Sequence, residues 1–365
     1  MEKMRVLFIS YGSVFSPFLP GGGALRIHKF ASFLSQRQKV DVVTGNFPRS
    51  DSVKAPYNLI FLGDGKNIYR SLFSFSLNIP IFTRKNSSEY DIIIDDYSPF
   101  YFSLAPIFHK NSVIQFQIYI GKHNIKRFPF PINIFFWGNE NLYPKIFKRA
   151  ISVQEYLVKV FGFDVPGKKY KVIWNGVDKE NFQYKSEEEN FILYCGRISE
   201  YMKGIDILFD ALRKIKNFLE NKKIYLAVVG DGPDRRKYEA ISKRLNLPVK
   251  FFGWISDKHT LSRFYSRCLF SVLPSRYEGF GLSILEAASF SKTSIIGNIP
   301  AFSWAKHFCL TFQTGDSDSL AKKIIYLIEN PEERRYLGYL GRIFSEDKTW
   351  DIVSHEFEKA LLSFL

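Results

Sequence analysis

Short apolar runs alternate with amphipathic or polar stretches along the first half of the chain. The runs are RVLFIS (Arg5–Ser10), KVDVVTG (Lys39–Gly45), YNLIFLG (Tyr57–Gly63), DIIIDD (Asp91–Asp96), SVIQFQIY (Ser112–Tyr119) and AISVQ (Ala150–Gln154). They are rich in β-branched residues and apolar on both faces. Such a pattern predicts strands of a mostly parallel sheet that helices cover on both sides.

The second half repeats this plan, with apolar runs FILYCGR (Phe191–Arg197), IYLAVVGDG, VKFFGWI, CLFSVLPS and TSIIGNI. Helical spacing predicts helices at about Ile205–Leu219 and Arg235–Leu245, and an amphipathic closing helix over about Thr349–Leu365. Each half has a glycine loop after its first strand. The sequence therefore predicts two doubly wound domains, with a hinge near Pro166–Tyr170.

Length and composition agree with this organisation. A chain of 365 residues is too long for one ordinary core, and 46% hydrophobic with 24% charged residues is typical of a soluble globular protein. No run of about eighteen apolar residues indicates a membrane-spanning helix. We interpret the first residues as a strand rather than a signal peptide. Cys195, Cys268 and Cys309 lie in apolar runs, which favours buried thiols in a reducing compartment.

The net charge of +15 is unevenly distributed. Residues 1–168 carry 21 Lys and Arg against 11 Asp and Glu, or +10, and the remaining residues carry +5. A basic surface suits nucleic acid, anionic lipid or a phosphorylated substrate. The segment Lys122–Trp137 combines basic and aromatic residues without an acid. It is a candidate for contact with a membrane surface or substrate, and a partly buried connecting loop is an equally open interpretation.

Two glycine loops are candidate anion sites, because helix N-termini direct free N–H groups beyond the carboxyl ends of parallel strands. The first is Gly21-Gly22-Gly23, which could also be only a flexible turn and is not a dinucleotide fingerprint. The second runs from Gly196-Arg197 to Lys203-Gly204. An arginine fork and a lysine point charge suit two adjoining phosphates, although both could simply be solvated cations.

The stretch SRYEGFGLSILEAAS (Ser275–Ser289) holds two carboxylates, Glu278 and Glu286, separated by seven residues. A strand enters it and a helix leaves it, so the amides of Phe280, Gly281 and Leu282 are expected to be helix-start donors for a phosphate. Glu286 is placed to accept hydrogen bonds from a ribose diol, and Glu278 to contact a sugar ring. The alternative for Glu286 is a surface acid that complements the helix dipole.

Together these stretches resemble the retaining glycosyltransferases of family 4, the group 1 glycosyltransferases, whose fold is GT-B. The resemblance runs almost end to end through VIWNGVD (Val172–Asp178), the Gly-Arg and Lys-Gly pairs, VVGDGP (Val228–Pro233), VKFFGWIS (Val249–Ser256) and the E-x7-E element Glu278–Glu286. It implies an α/β chain with two Rossmann-like domains facing across a cleft. Residues 1–168 would form the acceptor-side domain, joined by a C-terminal helix at 345–365, and residues 169–344 would bind the nucleotide-sugar.

The resemblance also implies roles for individual residues. Arg197 and Lys203 would hold the donor diphosphate, with backbone from Phe280, Gly281, Leu282, Gly22 and Gly23. Ile255 would line the base pocket and Glu286 would bind the ribose, while Glu278 would contact sugar hydroxyls near the anomeric carbon. No cofactor or metal is implied. Asp95-Asp96 ends a strand of the first domain, and we interpret it as a loop or helix-cap pair rather than a metal site.

Two departures from the family pattern bear on selectivity. Many relatives carry a histidine near the donor sugar, at a position that falls here on Gln117 or a neighbour. Gln117 can hydrogen-bond a hydroxyl but cannot act as a general base, and His28 or His123 could substitute for it. Ala301, in GNIPAF (Gly297–Phe302), replaces an acid.

These features predict metal-independent, retaining transfer of a hexose-type sugar from a UDP- or GDP-linked donor to a glycan- or lipid-linked acceptor. The alternative is a non-catalytic nucleotide-sugar-binding subunit, which the missing histidine prompts. Nucleic acid as a partner is supported by charge alone and is not expected. We expect a cytoplasmic protein, with an anionic membrane surface at the inner face as a candidate partner. The sequence leaves the oligomeric state open.

Overall fold

A computed structural model describes residues 3–18, 21–119, 121, 129–130 and 132–365. It divides into two compact units, of which the first comprises Met1–Asn175 with Trp350–Leu365 and the second Gly176–Thr349. Both boundaries lie later than the predicted 168/169 and 344/345. The first boundary lies later because Lys169–Val172 is a strand of the first sheet. The second boundary lies later because the helix Pro331–Glu346 of the second unit ends only at residue 346.

In the described part of the first unit, seven strands form one parallel sheet in the order β3-β2-β1-β4-β5-β6-β7. They are β1 (Arg5–Ile9), β2 (Lys39–Gly45), β3 (Asn58–Leu62), β4 (Ile92–Asp96), β5 (Ser112–Phe116), β6 (Arg149–Ser152) and β7 (Lys169–Val172). Its described helices are Gly22–Ser35, Ile68–Asn86, Ala105–Phe108, Ile132–Leu142, Glu155–Val160 and Trp350–Leu362. β1 and β4 are almost completely buried, as expected of central strands covered on both faces.

Every residue from 176 to 349 is described, and six strands there form a parallel sheet in the order β10-β9-β8-β11-β12-β13. They are β8 (Phe191–Cys195), β9 (Tyr225–Val229), β10 (Val249–Gly253), β11 (Ser271–Leu273), β12 (Ser294–Gly297) and β13 (Leu310–Phe312). The helices are Glu200–Lys203, Ile205–Lys214, Lys216–Asn221, Arg235–Leu245, Lys258–Arg267, Leu282–Ser289, Ser317–Glu329 and Pro331–Glu346. The single helix predicted over Ile205–Leu219 is wrong, since the backbone of Ile215 leaves the helical conformation, with φ of −109° and ψ of 17°.

Both sheets reverse their strand order at their centre. In the first unit β1 lies beside β4, and in the second unit β8 lies beside β11. The helices that follow the two strands of such a pair lie on opposite faces, which leaves a crevice outside the carboxyl ends of the strands. Ligands of open α/β sheets bind at this position. The topology therefore selects the loops after β1, β4, β8 and β11 for closer description.

The closing helix Trp350–Leu362 belongs to the first unit, as predicted. Its Phe357 stacks on Phe30 of the helix Gly22–Ser35, with ring centroids 4.1 Å apart, and contacts the Phe8 ring of β1. Trp350 meets Phe30 edge to face. Because Phe8, Phe30 and Phe357 are all inaccessible to solvent, this aromatic cluster is part of the first core.

A fully buried guanidinium fixes the end of the first unit. Arg26 donates to the carbonyl oxygens of Ile173 (2.7 Å) and Trp174 (2.8 Å) and to the Asn175 side chain (3.0 Å). Burial lowers the pKa of Arg26 to about 9, and the charge of Asp96 opposes that shift. These three hydrogen bonds to one side chain hold the chain just before it enters the second unit at Gly176.

The three cysteines are free thiols. Burial raises the pKa of Cys195, Cys268 and Cys309 to about 12, so the thiols stay protonated and chemically inert near neutral pH. Within the described ranges, we find no helix with both the length and the hydropathy that crossing a bilayer requires.

The aromatic cluster generates a stability prediction. Phe357→Ala should lower the free energy of unfolding by about 3–5 kcal/mol, because it removes a ring from a closed core and leaves a cavity. Leu362→Ala, at a 54% exposed position of the same helix, is the matched control. Denaturant titration measures both. Equal losses for the two variants would show that the closing helix is not packed through Phe357.

Candidate functional site

The loops at the carboxyl edge of the second sheet are held together by close backbone packing. A Cβ atom on Gly230 would lie 2.1 Å from the Gly196 carbonyl oxygen, and one on Gly232 would lie 2.2 Å from that of Ile198. Gly204 has a positive φ of 63°, and its Cβ would lie 2.2 Å from the Pro274 carbonyl oxygen. Only glycine fits such approaches. The loops after β8, β9 and β11 therefore form one platform.

Lys203 and Glu278, both predicted site residues, form an ion pair on this platform. Lys203 closes the short helix Glu200–Lys203 after β8, and Glu278 follows β11, so the pair spans the two central strands. Ser275 also donates its hydroxyl to Glu278, at 3.2 Å. The carboxylate is mostly buried, with 11% of its side chain exposed, and this favours a strong, directional contact with the ammonium group.

Arg276 anchors the Glu278 loop from the other side. Its guanidinium makes a bidentate contact with Asp206, at 2.7 and 2.6 Å, and donates to the Glu200 carbonyl oxygen at 2.6 Å. Arg276 was not among the predicted site residues. Its partner Asp206 lies 70 positions away in the sequence, so no local spacing indicates the pair.

Arg197 differs from its neighbours because its side chain is exposed. Within the described residues, no carboxylate or carbonyl oxygen accepts a hydrogen bond from its guanidinium, whereas its own carbonyl oxygen accepts one from the Tyr194 hydroxyl at 2.7 Å. The fork geometry of this cation is therefore available to an anion at the carboxyl end of β8.

The helix Leu282–Ser289 begins beside Glu278. Gly281 caps it in the left-handed conformation, with φ of 84°, and a Cβ there would lie 2.6 Å from the Phe302 ring. In the described structure the amides of Gly281 and Leu282 donate to no protein group. Phe280 contributes its ring and carbonyl, which stack on and accept from Trp304. Orphan amides with the positive end of a helix dipole favour an anion.

Glu286 lies on the same helix and is partly buried. Its carboxylate accepts a hydrogen bond from the Tyr265 hydroxyl at 2.7 Å. Burial raises the pKa of Glu286 to about 7, the Tyr265 hydrogen bond opposes this shift and the charge of Asp178 adds to it. Ile255, which follows β10, packs against the cluster that contains Tyr265. The structure thus brings Ile255 and Glu286 to one side of the platform.

The remaining predicted residues, Gly22, Gly23 and Gln117, lie in the first unit and come together there. Gly22 and Gly23 start the helix after β1, and Gln117 directly follows β5. The Gln117 amide nitrogen donates to Asp96 at 2.5 Å and to the Gly23 carbonyl oxygen at 3.5 Å. A Cβ on Gly23 would lie 3.1 Å from the Gln117 amide oxygen, so this glycine leaves room for the glutamine.

Asp96 fixes which way the Gln117 amide points. A carboxylate accepts hydrogen bonds, so the group that faces it must be the NH₂ and not the carbonyl. Gln115 and Ser10 donate to the same carboxylate, both at 3.0 Å. Burial raises the pKa of Asp96, while these hydrogen bonds and the charge of Arg26 lower it. The Gln117 amide oxygen accepts no hydrogen bond within the described residues and remains an acceptor.

Asp95 and Asp96 end β4, as the sequence predicts, but the interpretation of the pair as a loop or helix cap is wrong because both are strand residues. Asp95 is inaccessible to solvent and accepts hydrogen bonds from Ser103 and, at 2.7 Å, from Tyr143. Burial raises its pKa to about 6, and these hydrogen bonds oppose the shift. The described residues contain no group of His, Cys, Asp and Glu side chains that could hold a metal ion.

The two candidate substitutes for the missing histidine have different outcomes. His28 contacts the Tyr57 hydroxyl through Nδ1, at 2.9 Å, and its ring packs against Phe15 and Tyr57. His123 lies outside the described residues, as do all of residues 122–128 and residue 131 of the basic and aromatic segment Lys122–Trp137. Ala301 is buried in a short 3₁₀ helix next to Phe302.

The raised pKa of Glu286 generates a prediction. Its ordinary value is 4.5 and its folded value is about 7, so the folded state keeps a proton that the unfolded state loses between these values. Stability is therefore greatest below the lower value and falls as the pH rises through the window. Glu286→Gln cannot ionise. It should exceed the wild type in unfolding free energy by up to about 3 kcal/mol near pH 8, with no difference near pH 4.

Denaturant unfolding at several pH values measures the difference in unfolding free energy between Glu286→Gln and wild type. The control is Glu329→Gln, a substitution of the same type at an exposed position. A difference between Glu286→Gln and wild type that stays constant with pH would contradict the buried-acid interpretation.

Comparison with known proteins shows what the second unit is similar to. Residues 177–344 match the family model of glycosyl transferases group 1. An uncharacterized glycosyltransferase of Methanocaldococcus jannaschii is 34% identical over 185 residues, which are 49% of this chain and 50% of that protein. The matched part of the chain thus spans about half the length of this curated relative.

Solved structures match over nearly the whole chain. Sucrose-phosphate synthase from Thermosynechococcus elongatus has a TM-score of 0.80 at 19% identity, with 99% of both chains covered. Anabaena HepE, in complex with UDP and glucose, has a TM-score of 0.76 at 18% identity, with 99% of this chain and 100% of that chain covered. These likenesses confirm the predicted two-domain GT-B fold. The second unit is thus similar to group 1 glycosyltransferases over almost its whole length, on a chain with the GT-B fold.

Proposed function

We propose that the protein is a retaining glycosyltransferase that moves a hexose-type sugar from a nucleotide-sugar to a glycan- or lipid-linked acceptor. One observation carries this proposal. Two cations, Arg197 and Lys203, lie with the free amides of Gly281 and Leu282 on the loops that follow β8 and β11, where the second sheet reverses its strand order. This is the chemistry and the position expected for a bound diphosphate.

The diphosphate is the leaving group of the proposed reaction. Negative charge grows on its oxygens as the bond to the anomeric carbon breaks. Fixed cations and amides aimed at those oxygens stabilise the transition state more than the ground state, because they need no reorganisation when the charge develops. The ion pair with Glu278 holds the Lys203 ammonium in place before the donor arrives.

Glu286 is proposed to bind the ribose diol of the donor. Two hydroxyl donors stabilise a carboxylate relative to the neutral acid, so donor binding should lower the raised pKa of this group. Binding near neutral pH would then release a proton. Ile255, packed against the same cluster, is proposed to contact the base.

Gln117 is proposed to hydrogen-bond a sugar hydroxyl through its amide oxygen. Its amide nitrogen is occupied by Asp96 and Gly23, which leaves the oxygen to accept. A glutamine cannot remove a proton, so we assign it a binding role and not a general-base role.

In the proposed step, the acceptor oxygen bonds to the anomeric carbon while the bond from that carbon to the diphosphate oxygen breaks. The acceptor proton passes to the departing phosphate oxygen on the same face, which retains the anomeric configuration. Neither a metal nor a cofactor enters this step. Arg197, Lys203 and the helix-start amides supply the positive charge that a metal ion provides in other transferases.

The donor is proposed to be UDP- or GDP-linked. HepE, whose fold this chain shares, has been crystallised with UDP and glucose, and this supports UDP as the first candidate. The acceptor is proposed from the basic first unit and its exposed aromatic residues, which suit an anionic glycan or lipid carrier. Cytoplasmic location with peripheral association at the inner membrane face follows from the same proposal.

A thermal-shift screen over UDP-, GDP- and ADP-sugars tests donor binding. One nucleotide should raise the melting temperature in a concentration-dependent way, by the mass-action relation for a ligand that binds only the folded state. EDTA should leave this shift unchanged. If no nucleotide-sugar stabilises the protein, the diphosphate assignment is wrong.

Variants of the ion pair separate binding from turnover. Lys203→Met should lower kcat for donor hydrolysis by about 10²–10³, as expected when one transition-state donor is lost. Glu278→Gln should lower kcat but leave nucleoside diphosphate binding intact, because the lysine keeps its charge. Lys214→Met, at a lysine that pairs with Asp210 away from the platform, is the control. Donor binding without any turnover in the wild type, with every acceptor class tried, would instead favour the non-catalytic subunit.

Gln117 provides an independent prediction. Gln117→Leu should lower kcat/KM by about tenfold or more through the loss of one hydrogen bond to the sugar, with little effect on free UDP or GDP binding. Gln117→His should recover part of the loss. Steady-state kinetics and nucleotide titration measure the two effects. Equal weakening of free nucleotide binding would show that Gln117 acts on the nucleotide and not on the sugar.

A further inference from the structure

The helix Ile68–Asn86 of the first unit has two apolar faces. Its inner face is buried through Ser71, Phe75, Ile79 and Thr83. Its outer face carries four large apolar side chains that are strongly exposed: Tyr69 (83%), Phe73 (68%), Leu77 (57%) and Ile81 (54%). The outer face of a helix that packs on a core is normally polar, so this second apolar face has no role in the fold of the described chain.

The four exposed residues form a continuous stripe. They recur every fourth residue, so they lie on one side of the helix over about 18 Å of its length. Single exposed apolar residues are ordinary, but a contiguous stripe of this kind indicates an interaction surface. Here we call Tyr69, Phe73, Leu77 and Ile81 the outer stripe.

Basic residues frame the outer stripe at both ends. Arg70 lies at one end, with Lys66 just before the helix, and Arg84 and Lys85 lie at the other end, all of them exposed. The helix contains no acidic residue. By helical geometry, Arg70 and Arg84 lie within about 20° of Leu77, on the face that carries the stripe.

The acids nearest to this surface are neutralised by their own partners. Asp64 pairs with Arg70 at 3.7 Å, and Glu89 pairs with Arg5 at 3.1 Å. Lys66, Arg84 and Lys85 form no ion pair within the described residues. The surface therefore combines an apolar centre with uncompensated positive charge at its ends.

This charge pattern distinguishes between two candidate partners of the outer stripe, a second copy of the chain and an anionic bilayer. A second copy of the chain, packed on the same face about a twofold axis, would place the basic ends against each other or against further cations. An anionic bilayer surface accepts both features, since apolar and aromatic side chains enter the boundary of the acyl chains while Lys and Arg reach the headgroup phosphates.

We propose that the helix Ile68–Asn86 lies along an anionic lipid bilayer, with the outer stripe inserted below the headgroups and Lys66, Arg84 and Lys85 contacting lipid phosphates. This assigns the membrane contact to a different element from the basic and aromatic segment that the sequence suggested. The role of this membrane contact rests on the proposed function, because it would bring the transferase to lipid-borne acceptors.

A second exposed apolar group lies nearby in the same unit. The Ser76 hydroxyl of the helix donates to the Phe100 carbonyl oxygen at 2.8 Å, and the Phe100 ring meets Phe136 of the helix Ile132–Leu142 edge to face. The exposed residues of this second helix include Ile134 and Trp137. Ile134 and Trp137 belong to the basic and aromatic segment Lys122–Trp137, so the described part of that segment is a secondary candidate for contact with the same bilayer.

Vesicle flotation of the full chain tests the proposal. The vesicles are either phosphatidylcholine alone or phosphatidylcholine mixed with phosphatidylglycerol, at low and high salt. One variant removes the stripe (Phe73→Ser with Leu77→Ser), and another removes the charge (Arg84→Gln with Lys85→Gln). The control is Tyr336→Ser with Tyr339→Ser, which changes similarly exposed residues of the helix Pro331–Glu346 in the second unit.

The wild type and the control should bind the anionic vesicles, and less so at high salt. Each of the other two variants should bind about tenfold or more weakly, with an unchanged melting temperature and unchanged UDP-sugar stabilisation. Binding of the stripe variant equal to that of wild type would overturn the proposal. The proposal would also be overturned if the wild type did not bind anionic vesicles but formed a dimer that the stripe variant cannot form.

The two proposals fail separately in this design. Donor hydrolysis without vesicle binding would reject the membrane surface and leave the transferase assignment in place. Vesicle binding through the stripe without any nucleotide-sugar stabilisation would reject the transferase assignment and leave the membrane surface in place.

Discussion

The candidate site depends on backbone atoms that approach each other too closely for any side chain. At the carboxyl edge of the second sheet, Gly204, Gly230 and Gly232 each leave space for a carbonyl oxygen that a Cβ would strike at 2.1–2.2 Å. These approaches join the loops after β8, β9 and β11 into one platform. This platform carries Arg197, Lys203 and Glu278, so the relative positions of these three residues are set before a ligand binds.

Both units bury ionisable groups on the elements around the central strands, although burial of such groups costs free energy. Glu286 has a pKa raised to about 7 by burial, and Asp95 has one raised to about 6. Arg26 is fully buried, and its pKa is lowered to about 9. Arg26 has structural partners at residues 173–175, whereas the shifted pKa values of Glu286 and Asp95 support a functional role for these two carboxyl groups. The best developed example is the set of donors on Asp96, which orients Gln117.

Much of the fold was predictable from the sequence, because apolar runs and glycine loops report local constraints. Helix Arg235–Leu245 and strand Lys39–Gly45 have the predicted bounds. The domain boundary was not predicted correctly, because β7 is short, alternates lysine with apolar residues and gains its place only by pairing with β6. Asp95 and Asp96 were misread for a similar reason, since their donors Tyr143 and Gln117 are distant in sequence.

Site residues were identifiable by type and spacing, but their partners were not. The ion pair between Lys203 and Glu278 joins residues 75 positions apart, and no spacing rule predicts it. The outer stripe was missed because a helix with two apolar faces resembles a buried helix in its sequence pattern, and only the structure shows that one face is exposed.

Hydrogen exchange followed by mass spectrometry, with and without a nucleoside diphosphate, tests the central claim most directly. The claim is that the platform and the first turn of the helix Leu282–Ser289 bind the diphosphate. It predicts ligand-dependent protection of amides in the segments 196–204 and 278–286. Stabilisation by the nucleotide with protection confined to other segments would contradict it.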